Sequence, residues 1–427
     1  MKVCKGWLYL PLEIKVREMD AKLLLAYYAV KKGYQVIIGE HRTVELASTV
    51  YPRGIFFSKG YPRGFRKRII TNAKMNGHTV VELDEEGLLL NNTAHYLQDR
   101  MMFDMFDLIT QEYCWGNFQK KVITDAYPGN EQKCYIVGNP RFDLLMPKFK
   151  NFYNKDVEHI KNNYGEFVLI NTRFSIYNSL NGMKKDYINS MYFKNLYDNF
   201  VEMTKAICKK FPDTNFIIRP HPGEDPESYY NEFSSYNNVH VIHEGNIIKW
   251  LMAAKVVIHN GCTSSIEAFL LGKTIISYIP ATSKDHDVNL PNQLGIEATN
   301  IKEVNALLHN ILSENNIAIS NYKEKMDENK KILMDYYELP NKRFSYESIL
   351  LLLNSIQLPT VPNNFSPSQK TLYLNENKKI KHFFPSLTKE EIQDFFRKID
   401  EVEGDSSDIS IKGIGTNLFE IKEDRFE

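Results

Sequence analysis

The chain has 427 residues, enough for two domains and an appendage rather than one compact core. Its 53 Lys and Arg balance 53 Asp and Glu, which excludes a general nucleic-acid binder and requires any anion site to be local. Hydrophobic residues make up 43% of a globular composition, and no apolar run reaches the ~20 residues that span a bilayer, so membrane contact is expected only at the periphery.

Trp7 to Leu12 reads as a buried strand, Ala21 to Lys32 as a helix closed by Gly33, and Tyr34 to Gly39 as the next strand. This β-α-β unit implies a parallel sheet, and its first turn lacks the G-x-G-x-x-G of a dinucleotide site. Gly54 to Phe57 is a short strand, Phe65 to Asn76 a basic helix, and His78 to Leu83 a strand ending in the acidic turn Asp84-Glu85-Glu86-Gly87. A helix over Tyr96 to Met105, a strand over Phe106 to Thr110, and a strand entering Gly138-Asn139-Pro140 follow. The lysine-rich stretch Pro147 to Asn163 is the expected domain junction.

The α/β pattern then restarts. Phe167 to Asn171 is a strand running into Thr172-Arg173-Phe174-Ser175, and a helix over Phe193 to Lys210 precedes the strand Thr214 to Pro222. Val239 to Gly245 is a strand and Ile247 to Ala254 a helix. Val256 to Ile258 breaks at His259-Asn260-Gly261; Ser264 then opens a helix with Glu267 at capping-box spacing and Gly272 at the C-cap, before the strand Thr274 to Tyr278. A late helix covers Ile301 to Glu314. The expected domains are 1–150 and 164–354, with 355–427 an accessory tail holding one short helix capped by Thr388 and Glu391, and too few apolar residues at its end to form a core. The five scattered cysteines, with no C-x-x-C pair, suit a reduced cytoplasmic protein without a zinc site.

Three clusters lie at strand ends, where open α/β sheets bind ligands: DEEG in the first half, RPHPGED and NGCTSSIE in the second. Ser264 and Glu267 can simply cap each other. Alternatively, Thr263, Ser264 and Ser265 at a helix N-terminus can receive an anion. Two such domains facing each other across a cleft would set a carboxylate base opposite an anion clamp, which is what transfer from a sugar nucleotide requires. In the acidic turn, mutual repulsion of Asp84, Glu85 and Glu86 is expected to make one carboxylate the more basic, with Glu85 the first choice and Glu86 the second.

The order Glu85-Glu86-Gly87, His221-Pro222, Ser264-Ser265 resembles the D/E-D/E-G, HP and paired Ser/Thr motifs of bacterial sialyltransferases and related enzymes that use CMP-activated nonulosonic acids. The wider pattern, YLPLEIKVREMDAKLLLA, GNPRFDLL, RPHP, HNGCTSSIEA and LPN, is similar to surface carbohydrate biosynthesis proteins of capsule and lipopolysaccharide loci and covers roughly the first three-quarters of the chain. The resemblance implies a GT-B fold of two Rossmann-like parallel-sheet α/β domains and a cytoplasmic glycosyltransferase, at most peripheral at the inner face of the membrane. Its partners would be a CMP-activated sugar donor (sialic, pseudaminic, legionaminic or Kdo type) and a polysaccharide or glycolipid acceptor, with no nucleic acid. Glu85 or Glu86, beside Asp84, would be catalytic; His221, Pro222, Arg219, Asn260, Gly261, Thr263, Ser264, Ser265 and Glu267 would bind the nucleotide.

Arg173 and Arg17 are candidates for a substrate carboxylate, or else structural ion-pair partners. Glu267 can cap or meet a ribose hydroxyl; Cys262 reads as packing and His259 as orienting the turn. Asp285-His286-Asp287 matches a metal-binding D-x-D pattern but lies in a polar loop, and a monophosphate leaving group can be stabilised without a divalent ion, so no metal or cofactor is expected. Other readings are a CDP-polyol phosphotransferase of teichoic-acid type, a sugar-nucleotide 2-epimerase, or a non-catalytic assembly subunit.

Overall fold

A computed structural model describes residues 4–90, 92–180, 182–183, 188–313, 316–338, 343–358, 372, 374–375 and 378–424. The chain divides into two compact units: Met1–Phe152 with Met334–Glu427, and Tyr153–Leu333.

The first unit is built on an eight-stranded sheet. Its parallel strands are β1 (Gly6–Leu12), β2 (Tyr34–Glu40), β3 (Ile55–Ser58), β4 (Thr79–Leu83), β5 (Gln111–Cys114) and β6 (Cys134–Ile136). The second unit holds the all-parallel β7 (Phe167–Asn171), β10 (Asn215–Arg219), β11 (Val239–Val241), β12 (Val256–His259), β13 (Thr274–Tyr278) and β14 (Ile296–Ala298), while β8 (Asn178–Ser179) and β9 (Gly182–Met183) form a small hairpin. The late strands β15 (Ile409–Gly415) and β16 (Leu418–Glu423) return to the first sheet, whose order is β15-β16-β2-β1-β3-β4-β5-β6; the second runs β11-β10-β7-β12-β13-β14. In each sheet the order reverses once, between β1 and β3 and between β7 and β12, and the strand ends beside such a reversal open a crevice for ligands. The apolar runs Leu8–Leu10, Val36–Ile38, Val168–Ile170 and Val256–Ile258 are fully or almost fully buried, as strands covered on both faces must be. The α/β, two-domain GT-B reading matches this architecture.

Three local expectations need correction. The run Phe106 to Thr110 is not a strand: Phe103–Phe106 is a helical turn, and Phe106 and Ile109 reach the core at helical spacing. The strand begins at Gln111 and carries buried Gln111 and Glu112, so hydrophobicity could not reveal it. The helix over Tyr96 to Met105 is two pieces, Thr93–Asp99 and Phe103–Phe106, the first capped by Asn92.

The third correction concerns domain limits. Residues 334–354 belong with the first unit: the helix Ser345–Asn354 begins where the Asp143 carboxylate accepts the Ser345 and Tyr346 N–H groups, both at 2.9 Å. The expected tail is likewise part of that unit. β16 pairs antiparallel with β2 from Leu418↔Gly39 to Ile421↔Val36, and the helix Lys389–Glu403 buries Ile392, Phe395, Phe396 and Ile399. Tyr27 on the helix Lys15–Lys31 meets Phe396 edge-on at 5.4 Å and donates to Asp400 at 2.5 Å. The tail has few apolar residues because the first sheet supplies the surface on which they close. Its capping box is formed as expected, Glu391 N–H to Thr388 Oγ1 at 3.2 Å and Thr388 N–H to Glu391 Oε2 at 2.9 Å.

Candidate functional site

In the first unit the acidic turn sits at the end of β4, beside the ends of β1 and β3. Asp84 folds the turn by accepting the Glu86 N–H at 2.9 Å, and Arg100 Nε donates to it at 2.8 Å. Gly60 has φ +74°, and a Cβ there would lie 2.4 Å from Asp84 Cγ, so only glycine lets the chain after β3 pass this close. Glu85 points inward: its side chain and that of Lys22 are each 4% exposed and pair at 2.8 Å. Glu86 points outward, its side chain half exposed, and pairs with Arg17 at 2.5 Å. The expected crowding of three carboxylates is therefore not what the turn contains, because each has its own cation: Arg100, Lys22 and Arg17. Of the two glutamates, Glu86 is the one whose oxygens reach solvent, while Glu85 is sealed against Lys22. Arg17 is committed to Glu86 and, at 3.3 Å, to Glu18, which fits the structural ion pair rather than a substrate clamp. Lys59, 3% exposed in its side chain, bridges Glu13 at 2.6 Å and Glu18 at 3.1 Å. Burial pushes Glu18 up, but Lys59 and Arg17 overcome it and hold the carboxyl at about 2.

In the second unit the candidate residues gather at the ends of β7, β10 and β12. Arg173 leaves β7 and donates through Nε and Nη2 to Asn260 Oδ1 at 3.2 and 3.0 Å, and through Nη2 to the His286 carbonyl at 3.1 Å. Among the described residues no carboxylate lies within ion-pair distance of it; burial lowers its pKa, against the pull of Tyr192 and of the more distant Asp287 carboxylate. Gly261 has φ +56°, and a Cβ there would lie 2.9 Å from Arg173 Nε. Asn260 also donates to the Tyr278 carbonyl at 2.9 Å, tying β12 to β13. His259 is fully buried; its Nδ1 accepts the Cys262 N–H at 3.3 Å, which puts the ring proton on Nε2, facing Ser277 Oγ at 3.1 Å. Burial, with Arg173 nearby, pushes this imidazole down to about 3.

The helix Ser264–Leu270 starts differently from the expected capping box. Its N-cap is Thr263, in helical conformation and without a side-chain cap bond. Ser264 Oγ instead accepts from Asn171 Nδ2 at 2.8 Å and lies 3.0 Å from Cys262 Sγ. Ser265, fully buried, donates to the Cys262 carbonyl at 2.9 Å, and Glu267 is fully buried within the helix. Ser264 is thus buried and tied to the end of β7, while Ser265 braces the turn. Gly272 ends the helix at φ +68° as expected. Arg219 is tied to the backbone: its two terminal nitrogens donate to the carbonyls of Glu244 at 2.6 Å and Gly245 at 2.8 Å, and its guanidinium lies over Trp250. Burial pushes it down to about 9. His221 is half-buried, its Nδ1 accepting the Gly223 N–H at 3.1 Å within the turn that Pro222 shapes. Asp287 accepts from Tyr192 on the helix Ile188–Lys210 at 2.6 Å and from the Ser283 N–H of its own loop at 2.8 Å.

No protein-family model matches the chain, and a search of curated proteins found no relative. Solved structures do match its fold. The wall teichoic acid polymerase TagF with CDPG is 11% identical over 82% of this chain and 88% of its own, with a TM-score of 0.56. The UDP-GlcNAc 2-epimerase of Neisseria meningitidis bound to UDP-GlcNAc is 13% identical over 83% and 99%, with a TM-score of 0.50. That of Methanocaldococcus jannaschii with UDP-GlcNAc and UDP is 13% identical over 82% and 99%, also with a TM-score of 0.50. These likenesses establish a GT-B fold, one that sugar-nucleotide enzymes use.

One residue of this site was missed in sequence. Glu224, fully buried, accepts from Thr172 Oγ1, Phe174 N–H and Tyr229 OH at 2.8, 2.8 and 2.6 Å and from the His221 N–H at 3.3 Å. It thus joins the turn that carries Arg173 to the turn that carries His221. Burial raises its pKa against the pull of these donors. The signal was its place in PHPGE, a Pro/Gly turn that needs a buried acceptor to close.

Proposed function

We propose that the protein is a glycosyltransferase that moves a nonulosonic acid from its CMP-activated donor to a surface polysaccharide or glycolipid acceptor, without a metal ion. The observation that carries this reading is Arg173 at the reversal of the second sheet: a guanidinium held by Asn260 and the His286 carbonyl, with no carboxylate within ion-pair distance among the described residues, set against Gly261. Such a group suits a donor that brings both a phosphate and a sugar carboxylate. His221 and Ser264 are the remaining donors for the phosphate. In the reaction the acceptor hydroxyl attacks the anomeric carbon, the bond from that carbon to the phosphate oxygen breaks, and CMP leaves with the electron pair. The hydroxyl proton goes to a carboxylate base, for which the half-exposed Glu86 is the candidate.

Incubation with several CMP-nonulosonates and mass detection of released CMP tests the reading. Release that is lost in Arg173→Ala and unaffected by EDTA is the expected result; turnover abolished by chelation and restored by magnesium or manganese would return Asp285 and Asp287 to consideration. A second reading, transfer of a polyol phosphate from a CDP-alcohol, is favoured by the TM-score of 0.56 to the teichoic acid polymerase. In a thermal-shift panel CMP selectivity supports the first reading and CDP selectivity the second. A response to UDP alone points to an epimerase, and no response to any nucleotide points to an assembly subunit.

A further inference from the structure

The helix Arg63–Met75 covers one face of the first sheet with Arg66, Ile69, Ile70 and Ala73, all buried. Its outer half is unlike an ordinary solvated helix face. At 100° per residue, Phe65, Arg68, Asn72 and Met75 form one row and Lys67, Thr71 and Lys74 the row beside it. Phe65 is 52% exposed and Met75 80% exposed, separated by about 15 Å along the axis, with the exposed lysines between and beside them. The helix contains no acidic residue. Arg68 is paired with Glu45 of the neighbouring helix, and Arg66 is paired inward with Glu82, but among the described residues Lys67 and Lys74 have no carboxylate partner. Exposed Arg53 lies against Gly77 just past the helix end and extends the cationic edge. In a chain whose charges sum to zero, this is a local concentration of positive charge carrying two large apolar side chains.

We propose that this face docks the protein on an anionic lipid surface, with Phe65 and Met75 entering the headgroup layer and Lys67, Lys74 and Arg53 lying over the phosphates. The face is the exposed side of a helix, with two separated apolar side chains among lysines that pair with no described carboxylate. A bilayer surface accepts that shape, and its negative charge complements the lysines. The docking does not depend on the nucleotide reading, because vesicles are titrated without any nucleotide.

The test is co-sedimentation of the full chain with phosphatidylcholine vesicles with and without phosphatidylglycerol. Binding to the anionic vesicles alone, weakened by salt, is expected. Lys67→Gln with Lys74→Gln should weaken partitioning by about 30-fold, two cations lost at the usual contribution of each. Phe65→Ser with Met75→Ser should weaken it as well, while thermal melts of both variants stay near wild type because all four side chains are exposed. Wild-type protein that ignores anionic vesicles, or binding that survives both double variants, overturns the proposal. So does heparin binding as tight as vesicle binding and indifferent to Phe65→Ser with Met75→Ser, since that is attraction to any polyanion.

Discussion

Glu85 and Glu86 are neighbours in sequence with opposite surroundings, so the same substitution has different consequences at each. Glu86→Gln keeps the shape of a half-exposed side chain and removes the charge; turnover should fall by about 10²–10⁴-fold with nucleotide affinity nearly intact, read by CMP release and by titration of CMP. Glu85→Gln leaves Lys22 as a buried cation without its carboxylate, which should cost about 3–5 kcal/mol of stability, seen in urea unfolding. Equal stability of the two variants would contradict this division of roles. His259 makes a prediction about pH. In the unfolded chain an imidazole takes a proton near its ordinary 6.5, whereas the folded protein resists until about 3. Stability contributed by the neutral ring is therefore present above about 6.5 and lost as pH falls towards 3, with a slope of up to about 1.4 kcal/mol per pH unit. Comparing wild type with His259→Gln across that window isolates this slope; a difference that does not change with pH would mean the ring is not held neutral.

At the scale of elements, the start of the helix Ser345–Asn354 carries the opposite dependence. Burial pushes Asp143 up to about 7 against the two N–H groups it accepts. Between 3.8, its ordinary value, and about 7 the folded protein keeps a proton that the unfolded chain has released, so this group's contribution to stability falls as pH rises through the window. Asp143→Asn should remove that trend while keeping one acceptor for the helix, as measured by unfolding free energies at several pH values. The strand β16 supports β2 in the same unit. Leu418 and Ile421 are fully buried on it, and Leu418→Ala should destabilise the protein by about 2–5 kcal/mol. A loss below 1 kcal/mol would show that the hairpin only decorates the sheet edge.

At the scale of the whole chain, the two units predict how it can be cut. Residues 153–333 have their own core, from Val168 and Ile170 through Leu196, Phe200 and Ile258 to Val304 and Leu308, and expressed alone they should unfold cooperatively. Residues 1–152 without 334–427 lose β16 and the helices Ser345–Asn354 and Lys389–Glu403, and they should be insoluble or molten by circular dichroism. Much of this was legible beforehand for a physical reason. Parallel strands buried on both faces must be continuous apolar runs, so Leu8–Leu10 and Val256–Ile258 announce themselves, and the Gly and Pro turns that follow mark where ligands meet the sheet. β5 was not legible because Gln111 and Glu112 are polar residues whose burial depends on partners far away in the chain. The hairpin β15-β16 was not, because half its surface closes only on β2, hundreds of residues earlier. The chemistry divides the same way. The sequence alone determined that Asp84, Glu85 and Glu86 stand at one strand end and Arg173, His221 and Ser264 in the turns of the second half, since local pattern sets strands and turns. Which carboxylate is sealed by Lys22, and which arginine is held by an amide oxygen instead of an ion pair, depends on long-range contacts between side chains, and only the tertiary structure decided it.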